Sequence, residues 1–261
     1  MLLAIDVGNT NIVLGVYEND KMIAHFRLAT LHDRSRDEYG ILFTSFLEHR
    51  NIKISDIDDV IIASVVPQVM YSLERAIKDY LNNTPIIVNH KTPLGIDIKI
   101  DNPRELGADR LVNAYGVNVL YGAPAIVVDF GTATTFCAID RNGDYLGGAI
   151  CPGVKISLEA LFMKTAKLPR VEIAKPESVI GKNTVESMQS GVLYGYVGQV
   201  LDITRRMREE MGEPDAKIIG TGGLASLISS ETDLFYEING NLTLESLRLI
   251  YNNIFKKAEK A

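Results

Sequence analysis

Cysteine is scarce in this chain. Only Cys137 and Cys151 occur, and neither belongs to a CxxC pair, so the sequence offers no disulfide framework and points to reduced thiols in a cytoplasmic protein. Histidine is nearly as rare. His25, His32, His49 and His90 show no metal-ligand spacing, which argues against a zinc site. Long apolar runs are missing as well, because Asp6, Asp129 and the glycines around them interrupt the best candidates, so no membrane span is expected. The first residues run directly into a strand pattern and lack the basic start and cleavage site of a signal peptide. Basic charge is not in excess. A net charge of −6 excludes the electrostatic footprint of a nucleic-acid binder, and the cluster Arg205-Arg206-Met207-Arg208 is followed at once by Glu209-Glu210, as on a solvated helix face. Low-complexity linkers are absent too.

What is there is an ordinary globular composition, 46% hydrophobic and 23% charged, over 261 residues, enough for two modest domains. One short pattern occurs twice. Leu2-Leu3-Ala4-Ile5-Asp6-Val7-Gly8-Asn9-Thr10 and Ala125-Ile126-Val127-Val128-Asp129-Phe130-Gly131-Thr132-Ala133-Thr134-Thr135 are both apolar runs that end in an acid, a spacer, a glycine and small polar residues. The two carboxylates lie close to half the chain apart. Apolar stretches follow both copies, Ile12–Tyr17 and Phe136–Ile139, and turn signals follow those, at Asn19-Asp20 and Asn142-Gly143. A strand, a phosphate-sized turn and a hairpin are expected twice.

The spacing predicts strands over Leu2–Asp6, Ile12–Tyr17, Lys21–Leu28, Asp59–Val66 and Pro85–Asn89, with helices over Asp37–Glu48 and Val69–Leu81. A helix over Leu106–Tyr121 then connects to a second round. That round has strands Ala125–Asp129, Thr135–Ile139, Tyr145–Ile150 and Ala216–Gly220, and helices Ile156–Phe162, Glu186–Met211 and Leu244–Lys257. The tail Lys256-Lys257-Ala258-Glu259-Lys260 reads as an exposed helix end. Three strands, helix, strand, helix, strand, made twice, is a duplicated α/β plan: two mixed five-stranded sheets with helices, of the ribonuclease-H-like (actin-like ATPase) type, with an interdomain cleft. The domains are expected at residues 1–117 and 118–261.

In the first loop, Gly8 lets backbone approach an anion, and the amides and side chains of Asn9, Thr10 and Asn11 supply donors. Asp6, at a strand end, suits Mg2+ held directly or through water. The same residues also suit a plain hairpin turn, and the duplication favours the phosphate loop. In the second loop Thr132, Thr134 and Thr135 offer hydroxyls. Asp129 either holds a cation or caps its own turn. Gly220-Thr221-Gly222-Gly223 removes side chains where adenine or ribose could lie, or makes a tight strand-to-helix turn. In Leu106-Gly107-Ala108-Asp109-Arg110, Asp109 suits a general base and Arg110 a carboxylate-binding fork. Their alternative roles are a helix-start charge and a surface ion pair.

Taken together, Asp6–Asn11, Leu106–Arg110, Asp129–Thr135, Gly147–Gly153 and Gly220–Gly223 resemble the motifs of type III pantothenate kinase, in order and spacing over nearly the whole chain. The resemblance implies phosphorylation of the primary hydroxyl of pantothenate by ATP with Mg2+ or another divalent cation. It also implies dependence on K+ or NH4+, and a homodimer. By the same resemblance, Asp6, Val7, Gly8, Asn9, Thr10, Asn11, Ile12 and Val13 form the first phosphate loop, and Thr132 and Gly222 also meet ATP. Asp109 is the base, and Gly107, Ala108, Asp109, Arg110 and Thr184 bind pantothenate. Asp129 holds the monovalent cation. Thr184 also fits a purely structural helix start after Asn183, with Glu186 completing a capping box. One position departs from the pattern: Ile100 stands where the family usually has a substrate-contacting tyrosine, seven residues before Gly107. The rival readings are another small-molecule kinase of the same fold, and a non-catalytic ATPase-fold regulator.

Overall fold

The computed structural model describes residues 1–256. Among the described residues, ten strands and seven α-helices follow one another as β1 (Leu2–Val7), β2 (Asn11–Glu18), β3 (Lys21–Ala29), α1 (Arg36–His49), β4 (Asp59–Ser64), α2 (Pro67–Leu81), β5 (Ile86–Ile87) and α3 (Ala108–Tyr121). The second round is β6 (Ala125–Phe130), β7 (Ala133–Ile139), β8 (Tyr145–Pro152), α4 (Val154–Lys164), α5 (Thr184–Met211), β9 (Lys217–Thr221), α6 (Ala225–Ser229), β10 (Glu237–Ile238) and α7 (Leu242–Ile250).

The first sheet has the order β3-β2-β1-β4-β5 and the second β10-β9-β6-β7-β8, the same order read from the other edge. In both, the first strand pairs antiparallel with the second and parallel with the fourth: β1 with β2 and β4, β6 with β7 and β9. The duplication expected from the sequence is therefore present strand for strand. β1 and β6 are central and buried, which explains their continuous apolar runs.

Each sheet packs helices over its own core. In the first unit Ile5, Val7, Ile12, Leu14 and Ile62 meet Tyr39 and Phe43 of α1 and Leu73 and Ile77 of α2. In the second, Ile126, Val128, Phe130 and Phe136 meet Leu158 of α4 and Val192, Tyr196 and Val200 of α5. Helix α1 starts at a full capping box, with Ser35 accepting from the Glu38 amide and the Glu38 carboxylate accepting from the Ser35 amide.

The chain divides into two compact units. One contains residues 1–96, 101–116 and the described residues from Leu242 on; the other contains 97–100 and 117–241. This differs from a single cut at 117/118. Packing explains why α7 belongs to the first unit. A Cβ on Gly116 of α3 would lie 1.6 Å from Ser246 Oγ, so only glycine admits α7 there, and Leu244 Cδ1 would stand 3.1 Å from a Cβ on Gly15 of β2. Thr243 Oγ1 donates to Asn113 Oδ1 at 2.9 Å, and Tyr251 donates its hydroxyl to Asp59.

Some boundaries differ from expectation. α3 begins at Ala108 because a 3-10 turn over Pro103–Glu105, capped by Asn102, precedes it. The expected closing helix is α7 followed by a π-helical turn over Tyr251–Phe255, and residues 257–261 of the expected tail lie outside the described residues.

Candidate functional site

The first loop hangs from the carboxyl end of β1. Asp6 pairs in register with Val13 on β2 and Ala63 on β4 and is half-buried. The side chains of Val7 and Ile12 are fully buried in the core, so these two residues have only backbone to offer a ligand. Gly8 N donates to Asn11 O at 3.0 Å and closes the turn, leaving Asn9 and Thr10 exposed at its tip. A residue outside the expected motif braces this turn: Thr30, which follows β3, donates from Oγ1 to Gly8 O at 2.7 Å and from its amide to Thr10 O at 3.0 Å.

The expected substrate segment lies in the same unit. Val65 donates its amide to Val7 O at 3.0 Å, and its Cγ1 stands 3.3 Å from where a Cβ on Gly107 would be. Val65 thus links the first loop to Gly107–Arg110. The carboxylate of Asp109 folds over Gly107, with Oδ1 2.5 Å from that absent Cβ, so a side chain at 107 would displace it. Asp109 Oδ1 also accepts from the Arg110 amide at 2.7 Å. Ala108 is buried, while Asp109 and Arg110 are half-buried. Burial raises the Asp109 pKa above its ordinary value; the amide hydrogen bond and charge of Arg110 pull it down and are outweighed.

In the second unit Asp129 lies at the end of β6, opposite Thr135 of β7 and Thr221 of β9. Residues paired across strands share a face, so two threonines flank this carboxylate. Gly222, at φ +89°, closes the other side: a Cβ there would lie 2.6 Å from Asp129 Oδ1 and 2.7 Å from Phe130 N. Gly220 is demanded by packing under Phe235 and Ile238 rather than by a ligand, and only Gly223 faces open space. The loop itself is short, with Gly131 N donating to Ala133 O at 3.1 Å and Thr132 exposed. Thr134, expected to face a phosphate, is fully buried opposite Phe130 and Cys151 with its hydroxyl unpartnered. Alternation along β7 turns it into the core.

Gly153, the N-cap of α4, packs on that loop. A Cβ there would lie 2.1 Å from Thr132 O and 2.7 Å from Gly131 O. Thr184 is the first residue of α5. Asn183 caps the helix through the Glu186 amide at 2.9 Å, while the Glu186 carboxylate accepts from the Lys182 amide at 2.8 Å, so the box is completed one residue earlier than expected. Thr184 is exposed and lines a groove of about 580 Å3 together with Pro152, Leu161, Gly191, Gly195 and Gln199. Ile100 sits against Gly147, with Cγ2 3.6 Å from the missing Cβ.

Among the described residues no group of three or more His, Cys, Asp or Glu gathers to hold a metal, and no helix is long and apolar enough to cross a membrane. Of the two loop carboxylates, Asp6 suits a cation whose other ligands would be phosphate and water, the habit of Mg2+.

The architecture is shared by solved structures. A protein described as a Baf family transcriptional activator from Campylobacter jejuni is 19% identical with a TM-score of 0.62, and the match covers 99% of this chain and 100% of that one. A protein from Sinorhizobium meliloti described as a 2-dehydro-3-deoxygalactonokinase is 12% identical with a TM-score of 0.62 over 98% and 99% of the chains. Component A of (R)-2-hydroxyglutaryl-CoA dehydratase from Acidaminococcus fermentans is 12% identical with a TM-score of 0.56 over 99% and 98%. At these identities they establish the fold, that of actin-like ATPases and sugar kinases. A family model for type III pantothenate kinase matches residues 2–206, a span that holds both loops expected to bind phosphate, the Gly107–Arg110 segment and Thr184. The chain belongs to the type III pantothenate kinase family.

Proposed function

We propose a division of roles among the residues of this kinase, which phosphorylates pantothenate with ATP and a divalent cation in coenzyme A synthesis. The observation that carries the proposal is the Asp109 carboxylate, folded over Gly107 and linked through Val65 to the first phosphate loop. Phosphoryl transfer asks mainly for positioning and charge neutralisation. Asp109 takes the proton of the pantothenate hydroxyl as its oxygen bonds to the γ-phosphorus and ADP departs. A carboxyl whose pKa is raised by burial is a stronger base than an exposed one, and Gly107 leaves it room. Arg110 binds the substrate carboxylate, and Gly107 and Ala108 contribute backbone.

Asn9, Thr10, Asn11 and Val13, with the backbones of Val7, Gly8 and Ile12, bind one side of the triphosphate. Thr132 and the backbone at Gly222 bind ATP as well. Asp6 is the carboxylate that holds the divalent cation, whose charge offsets that of the phosphates. Asp129, between Thr135 and Thr221, offers hard oxygens of the kind that hold K+ or NH4+.

The active form in this reading is a homodimer, with Thr184 near the interface. Support comes from the second unit: Met163, Ile180 and Leu201 are apolar side chains 66%, 71% and 43% exposed, and an open groove runs along another face of α5. We place the enzyme in the cytoplasm on the strength of its two free cysteines. Ile100 removes one hydroxyl contact to substrate, so pantothenate is held mainly by Arg110 and Thr184.

A panel of hydroxylated substrates in an ADP-release assay tests the reading against the rival kinases and the non-catalytic regulator. Pantothenate should be the acceptor preferred by kcat/KM. Preference for a sugar, or no acceptor at all, would overturn it.

A further inference from the structure

The two halves place one residue at the same point, with the same neighbours. Asn11 pairs with Ala29, the last residue of β3, and Ala133 pairs with Pro152, the last residue of β8. The residues next in line, Thr30 and Gly153, are therefore equivalent in the duplicated fold. Both lie against the carbonyls of the adjoining loop. Thr30 donates to Gly8 O at 2.7 Å and to Thr10 O at 3.0 Å. Gly153 packs so closely on Gly131 O and Thr132 O that a Cβ would fall 2.7 and 2.1 Å away. Gly8 and Gly131 occupy the same position after their aspartates, and Thr10 and Thr132 are the last loop residues before β2 and β7.

We infer that Thr30 and Gly153 are paired positioning residues that set the direction of the loop amides toward ATP. A trans peptide points its C=O and the following N–H in opposite directions. Holding Gly8 C=O and Thr10 C=O toward Thr30 therefore turns the amides of Asn9 and Asn11 the other way. Holding Gly131 C=O and Thr132 C=O against Gly153 turns the amides of Thr132 and Ala133 likewise. Amides turned to one side, those of Asn9 and Asn11 in the first loop and of the successive Thr132 and Ala133 in the second, form an anion-binding concavity. The two halves reach this by different chemistry: a hydrogen-bonding hydroxyl in the first, and in the second the absence of a side chain, which lets backbone pack on backbone.

The inference rests on the reading of both loops as ATP phosphate loops. Thr30→Val keeps the shape and the amide but removes the hydroxyl donor. The loss of one neutral hydrogen bond predicts a KM for ATP raised about two- to tenfold. The KM for pantothenate at saturating ATP should be unchanged, the melting temperature should stay near wild type, and Thr30→Ser should restore ATP affinity. Gly153→Ala forces the Thr132 carbonyl to move and should weaken ATP binding more strongly; circular dichroism and melting on the same sample separate this from misfolding. Unchanged ATP affinity in Thr30→Val, alongside an Asp6→Asn variant that loses it, would overturn the brace while leaving the phosphate loop standing. Unchanged ATP affinity in Asp6→Asn as well would overturn both.

Discussion

Replacing Asp109 by Asn separates a catalytic role from a structural one, because the two predict opposite effects on stability. Asn keeps the size and the Oδ1 that accepts from the Arg110 amide at 2.7 Å, so the start of α3 is preserved. It removes basicity. General-base help is typically worth about a hundred- to ten-thousand-fold, equivalent to about 3 to 5 kcal/mol of transition-state stabilisation, and kcat should fall by that range while ATP still binds. The stability effect follows from the pKa. Burial raises the folded-state value above the ordinary 3.8, so the carboxyl favours folding most when protonated. That contribution is complete below the unfolded value and is lost as pH rises through the folded one. At neutral pH the wild type carries a disfavoured charge that Asn lacks, so Asp109→Asn should melt at the same temperature or higher, and the advantage should vanish at acid pH. The acid limb of wild-type kcat/KM should lie above the range of an exposed aspartate, and the variant should lack it. Kinetics, ATP titration and thermal melts at several pH values on one preparation decide the matter. Near-normal kcat would refute the base assignment, and a clearly lowered melting temperature at neutral pH would refute the burial argument.

Three further outcomes are expected. Exchanging potassium for sodium should lower kcat markedly in the wild type, and Asp129→Ala should abolish the difference; equal wild-type rates in both salts would refute the cation assignment. Gly222→Ala places a Cβ 2.6 Å from Asp129 Oδ1 at φ +89°, so urea denaturation should show a loss of about 1 to 3 kcal/mol, together with weakened activity. Leu201→Glu, at a position 43% exposed, should leave the melting of the fold largely intact but convert a dimer to monomer in analytical ultracentrifugation; an unchanged sedimentation coefficient would remove this face of α5 from the proposed interface.

Much of this fold is legible because the same physics is written twice. Central strands buried on both faces must be apolar throughout, and β1 and β6 show it up to the aspartate at their ends. Glycine after the aspartate marks the turn in both halves. The capped helix α5 announces itself through Asn183 and Glu186, and α1 through its apolar spacing, while the Ser35 cap of α1 appears only in the structure. Short edge elements carry too few residues for a period: β10 has two and α6 five, and neither is visible in the sequence. The return of α7 to the first unit depends on Gly116 fitting Ser246, a contact between residues 130 apart in the chain that no local pattern encodes. Thr30 was hidden for the same reason. An isolated threonine after a strand carries no signal until its hydroxyl is seen on Gly8. Thr134 sat inside the right motif, yet strand alternation buries it, which the motif alone does not convey.

The central claim is that this chain moves the γ-phosphoryl group of ATP to the primary hydroxyl of pantothenate. Mass spectrometry of the reaction products tests it most directly, with purified protein, ATP, Mg2+, K+ and pantothenate. The account predicts phosphopantothenate accumulating in step with ADP. ADP at the level seen without acceptor, or ADP accompanied only by inorganic phosphate, would contradict it.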